Sequence, residues 1–144
     1  MTEQPIDILL VEDNEGDVRL TIEALRDGKI SNQLSVARDG FEALAFVRRE
    51  GRFAAAPRPG LILLDLDLPL KDGRQVLVDL KVDPILSAIP VVILTASQAQ
   101  TDVLRAHQLD ARAYITKPVD LEKFLSVVRQ LKRYLHADLI LPAL

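Results

Sequence analysis

Short apolar runs alternate along the chain with longer stretches whose apolar residues recur at helical spacing. IDILLV (6–11), LILLD (61–65), PVVILT (90–95) and AYIT (113–116) are of strand length and carry little alternation. Runs that are apolar on both faces suit strands covered on both sides. QLSVAR (33–38) is more polar and suits an edge. Between them, the periodicity predicts helices over 15–28, 40–50, 74–82, 98–109 and 120–135. The first places Val18, Ile22 and Leu25 on one stripe, and the last aligns Leu121, Phe124, Leu125, Val128, Leu131 and Leu135. Asn14, Asp39 and Asp120 stand at helix starts as expected N-caps, and Gly28 and Gly51 as expected helix stops.

Strands alternating with helices predict an α/β fold, a doubly wound five-stranded parallel sheet with helices on both faces. Ligands of such sheets bind beyond the carboxyl ends of the strands, where the strand order reverses. Two segments stand outside the alternation. GRFAAAPRPG (51–60) reads as a surface loop, and HADLILPAL (136–144) is a strongly apolar tail.

Composition narrows the chemistry. A chain of 144 residues suits one domain, which at this size buries about 70% of its unfolded surface. The absence of cysteine excludes disulfides, thiolate metal sites and a cysteine nucleophile. The net charge of −3 is spread along the chain, with no basic arm or aromatic platform, so nucleic-acid binding is not expected. The apolar runs are too short to span a membrane. No basic, signal-like start is present, and a cytoplasmic location is the expectation.

The candidate chemistry lies at the strand ends. Asp13, Asp65, Thr95 and Lys117 each end or just follow an apolar run, and Glu12 precedes Asp13. Three carboxylates on adjacent strands repel one another unless a cation lies among them. Hard oxygen donors without histidine or cysteine favour Mg2+, with Mn2+ an alternative. Thr95 and Lys117 add a hydroxyl and a point cation suited to a phosphoryl group. Pro118 restrains the turn after Lys117. Asp39 and Asp110 read as caps or solvated acids, and His107 and His136 lie outside every motif.

The motifs LLVEDN (9–14), LILLDLDLPLKDG (61–73), VVILTAS (91–97) and YITKP (114–118), in this order, resemble the receiver domain of two-component response regulators. The resemblance spans roughly residues 5–135, leaving 136–144 as a tail. It implies a flavodoxin-like 2-1-3-4-5 sheet and a phosphoacceptor that catalyses only its own phosphotransfer and autodephosphorylation. By the same likeness, Asp65 takes phosphate from a sensor histidine kinase. Asp13, Asp65 and the Asp67 carbonyl hold Mg2+, and Glu12 acts through water. Lys117 and Thr95 contact the phosphoryl oxygens. Thr95 and Tyr114 form a switch that reshapes the face of the fourth helix, fifth strand and fifth helix. Asp67 and Ser97 tune dephosphorylation, and the small Ala96 leaves the site open. Leu68 stands where the family usually has methionine.

Two other readings compete. Haloacid-dehalogenase-type phosphatases also order an Asp-x-Asp strand, a Thr or Ser, then a Lys, but place their second acidic pair after the lysine, whereas Glu12-Asp13 comes first. A phosphorylation-independent interaction module would be marked by loss of a site residue, and none is lost. The nine residues after 135 leave no room for an effector domain, so output through protein contacts is expected. The 51–60 loop and the apolar tail resemble small stand-alone regulators paired with phytochrome-type histidine kinases, which form homodimers. Leu139, Ile140, Leu141 and Leu144 would form an exposed apolar patch suited to that interface. The alternative is a tail folded over its own last helix.

Overall fold

The computed structural model describes residues 5–95, 111–116 and 121–136, apart from the side chains at 95, 116, 121 and 131–136. The expected helix over 98–109, the Asp120 cap and the tail lie outside these residues. The elements are β1 (Ile6–Val11), α1 (Glu15–Asp27), β2 (Asn32–Ala37), α2 (Gly40–Val47), β3 (Leu61–Asp65), α3 (Gly73–Val82), β4 (Val91–Thr95), β5 (Ala113–Thr116) and a C-terminal helix (Leu121–His136). All four strand pairs are parallel, and the sheet order is β2-β1-β3-β4-β5. The polar β2 run takes an edge, as expected.

Alternation of side chains across the sheet divides the core in two. Leu9, Val11, Ile62, Leu64, Val91 and Ile93 face α2 and α3, meeting Leu44, Val47, Leu77 and Leu80. Ile8, Leu10, Leu61, Leu63, Val92 and Leu94 face the other way, meeting Val18 and Leu25 of α1 and Phe124 and Val128 of the C-terminal helix. Leu61, Leu63 and Leu64 of the central β3 have no exposure, each stabilising the fold by roughly 2 kcal/mol through transfer from water.

Among the helices two expectations are corrected and one is met with a different geometry. Ile22 is 42% exposed, and Thr21 takes the buried place between Val18 and Leu25. The Thr21 hydroxyl satisfies itself by donating to the Asp17 carbonyl at 2.9 Å, so a polar residue fits there. Second, Gly28 stops α1 as expected, directly after Asp27, but stays right-handed, and Lys29 is the residue at φ 56°. The Ile30 and Lys29 N–H groups donate to the Leu25 and Arg26 carbonyls, a Schellman closure sealed by buried Ile30 and Leu25. Gly28 also sits in a close contact: a Cβ there would displace the Leu125 side chain, and its carbonyl accepts from Arg129 Nη2 at 2.9 Å. Third, α2 ends at Val47, before Gly51, with Arg49 at φ 56° closing the same motif. Asn14 and Asp39 cap α1 and α2 as expected, each accepting from a backbone N–H at 2.9 Å.

The 51–60 connection is anchored more than a surface loop requires. Phe53 packs on Phe46 with ring centroids 5.4 Å apart, and Arg52 lies over the Phe53 ring while pairing with Glu42.

The burial of α1 predicts contrasting substitutions. Leu25→Ala should cost about 3 kcal/mol, whereas Ile22→Ala should change stability by less than about 1 kcal/mol. Urea unfolding of the two variants checks the difference.

Candidate functional site

β1 and β3 are neighbours, and Val11 pairs with Leu64. The next residues along the two strands, Glu12 and Asp65, therefore stand side by side. The strand order reverses at this junction, with β2 reached on one side and β4 on the other. That is where open α/β sheets leave a crevice for ligands.

Local structure fixes each carboxylate. The Glu12 N–H donates to the Ala37 carbonyl at 2.9 Å, extending the β1–β2 ladder by one residue. The Glu12 side chain turns inward, is 1% exposed, and accepts from the Asn14 N–H at 3.2 Å. Asn14 in turn caps α1, so the turn holding Asp13 outward is closed from both ends. Asp65 is the last residue of β3 and is 4% exposed, and its Oδ1 accepts from the Asp67 N–H at 3.0 Å. One carboxylate oxygen from each of Glu12, Asp13 and Asp65 lies within 4.8 Å of the others. These are the three acids the sequence singled out.

The donor set fits a hard divalent cation: three carboxylates, two of them buried, with Asp13 open to solvent. Charges this close and this dry attract a cation strongly and repel one another without it.

The β3–α3 loop, residues 66–72, carries Asp67 past this cluster. Asp67 is exposed, while Leu68 is buried in the α2/α3 side of the core. Two features here escaped the sequence reading. Asp72 is the N-cap of α3, accepting from the Arg74 N–H at 2.7 Å. Gly73 packs so closely on the Asp65 carbonyl and the Leu66 Cα that no Cβ fits, and its N–H donates to the Leu66 carbonyl at 3.1 Å. The Asp-Gly pair directly before an apolar helical stripe was the available signal.

Thr95 ends β4, one strand beyond Asp65, whose register partner is Leu94. Thr95 pairs with Thr116, the last residue of β5. The Thr95 side chain, Ala96, Ser97, Lys117 and the tail leucines and isoleucine lie outside the described residues. Tyr114 is half-buried on β5, its ring against the α2/α3 side of the core. Its hydroxyl accepts from the Ala111 N–H at 2.7 Å. Ala111 precedes β5, so the ring leans toward the amino end of the strand, away from the carboxylates.

Residues 8–129 match the response regulator receiver domain family. The chain is 43% identical to Response regulator Rcp1 of Synechocystis sp. over 136 residues, covering 94% of this chain and 92% of Rcp1. A crystal structure of the phosphorylated cyanobacterial phytochrome response regulator RcpA superposes with a TM-score of 0.78 at 42% identity, covering 96% of this chain and 99% of RcpA. The Mn2+-bound form of Rcp1 superposes with a TM-score of 0.77 at 42% identity, covering 96% and 100%.

The crowding of charge makes a prediction with a change of sign. Asp13→Asn should raise the melting temperature in EDTA by roughly 2–5 °C, because it removes one of three mutually repelling charges. Millimolar Mg2+ should stabilise the unaltered protein and give Asp13→Asn little or no gain. Thermal melts with and without the ion check both halves.

Proposed function

The chain belongs to the response regulator receiver domain family, and on that premise we propose that it is a stand-alone regulator taking a phosphoryl group from a sensor histidine kinase on Asp65. The observation that carries this reading is the buried Asp65 carboxylate, held within 4.8 Å of Glu12 and Asp13 at the sheet switch point. In the transfer, an Asp65 oxygen forms the bond to phosphorus as the phosphorus–nitrogen bond to the kinase histidine breaks. The imidazole leaves with the bonding electron pair. Catalysis of this kind is mostly positioning and charge neutralisation.

The residues divide that work. Asp65 is oriented by the Asp67 N–H on its Oδ1, and its carboxylate would make the attack. Asp13, Asp65 and the Asp67 carbonyl would hold Mg2+, or Mn2+, with Glu12 acting through water. The ion would neutralise charge on the transferring oxygens. Lys117 and Thr95 would contact the same oxygens. Asp67 and Ser97 would set how readily water reaches the product. Support for the ion comes from the acid cluster and from the Mn2+-bound relative.

The signal would pass through Thr95 to Tyr114. A phosphoryl group drawing Thr95 inward frees space beside it, and Tyr114 would leave its Ala111 partner to fill that space. The protein would act on its own phosphate alone, without turnover of other substrates. Its likeness to phytochrome response regulators supports a phytochrome-type kinase as partner. No described helix is long and apolar enough to cross a membrane. Leu139, Ile140, Leu141 and Leu144 would contribute to a homodimer.

Asp65→Asn should abolish labelling by acetyl phosphate in Mg2+ while leaving the far-UV circular dichroism unchanged. A stable phospholabel on that variant would count against the assignment. Failure of the unaltered protein to label would favour the phosphorylation-independent module, and multiple turnover of a simple phosphate ester the phosphatase. Truncation after Ala137 should weaken self-association in sedimentation velocity. Equal dimerisation of the two chains would remove the tail from the interface.

A further inference from the structure

We propose, building on the cation site above, that Lys71 is a positioning residue for it, acting through the shape of the β3–α3 loop. The loop is bent against local preference. Leu70 sits at φ 64°, a left-handed conformation that a branched-chain aliphatic residue rarely adopts, and its side chain is 81% exposed. Nothing about a solvent-facing leucine rewards that conformation, so neighbouring contacts must hold it.

Lys71 supplies those contacts. Its Nζ pairs with Asp79 Oδ2 of α3 at 2.7 Å, and both side chains are mostly covered, at 21% and 29% exposure. The same Nζ lies 5.6 Å from the centroid of Phe41 in the first turn of α2. Its backbone carbonyl rests where a Cβ of Gly40 would stand. One residue thus ties the loop to two helices. Leu68, buried in the core, and Gly73, against the Asp65 carbonyl, fix the loop on either side. Asp67 adjoins the Leu68 anchor on the strand side and donates its N–H to Asp65 Oδ1. Loosening Lys71 lets Leu70 relax toward an ordinary φ, and the relaxation is passed through Pro69 and Leu68 to the adjoining Asp67.

The decisive experiment reads the Asp67 amide. In Lys71→Met, which keeps the stem and removes the charge, its hydrogen exchange by NMR should quicken at least about fivefold, with the β3 amides unaffected. Mn2+ affinity by electron paramagnetic resonance should weaken about tenfold, the usual scale for losing a residue that orients metal ligands. Lys71→Arg should keep both properties. In the double variant Lys71→Met with Leu70→Asn, both should largely recover, because asparagine accepts the left-handed conformation. Asp67 exchange in Lys71→Met within about twofold of the unaltered protein would overturn the proposal, leaving Lys71 a stabilising surface pair. Failure of the unaltered protein to bind Mn2+ would remove the cation site instead, and the exchange comparison would still decide the role of Lys71.

Discussion

Three carboxylates forced together at the mouth of one sheet are the constraint on which this structure turns. Oxygens of Glu12, Asp13 and Asp65 gather within 4.8 Å, and two of the three side chains are almost fully buried. Left to themselves the charges would drive the β1 and β3 ends apart. The sheet resists because Glu12 continues the β1–β2 ladder through Ala37, and Asp65 ends the wholly buried central strand. A stiff scaffold thus holds together three carboxylates whose mutual repulsion a bound cation would relieve.

The rest of the mouth serves the same arrangement. Asn14 closes the turn before α1, and its N–H holds the Glu12 carboxylate inward. Gly73 lets α3 begin against the Asp65 carbonyl itself, so the β3–α3 loop must arch over the strand end. The arch carries one strained residue, Leu70, and one cross-linking residue, Lys71. Far from the mouth, the Gly28 contact with Leu125 and the Arg129 bond to the Gly28 carbonyl lock α1 to the C-terminal helix. The face beneath the site is therefore braced on both sides of the sheet.

Much of this was legible along the chain. β1 and β3 occupy the runs read from hydrophobicity, because a strand buried on both faces has to be largely apolar, and β5 occupies its run at the sheet edge opposite β2. The acid cluster was legible because each member directly follows, or ends, such a run. Helix ends were less so. The closure of α1 and α2 puts Lys29 and Arg49, not glycine, in the left-handed conformation. Schellman hydrogen bonds and, at α1, a buried Ile30–Leu25 contact offset that cost, and neither is visible in local sequence. Ile22 lost its expected place to Thr21 for a similar reason: the direction of the core, not hydrophobicity, decides which face of a helix is covered.

The sequence by itself determined the types and order of the described elements and which carboxylates end or follow them, since those depend on periodicity and on which side chains follow apolar runs. Tertiary structure decided the rest. Parallel pairing of β1 with β3 turned residues more than fifty positions apart into one charge cluster. Packing decided that Gly73 touches the Asp65 carbonyl and that Lys71 reaches Asp79 and Phe41. These are distances between separate elements, and a chain carries no local record of them until its core has closed.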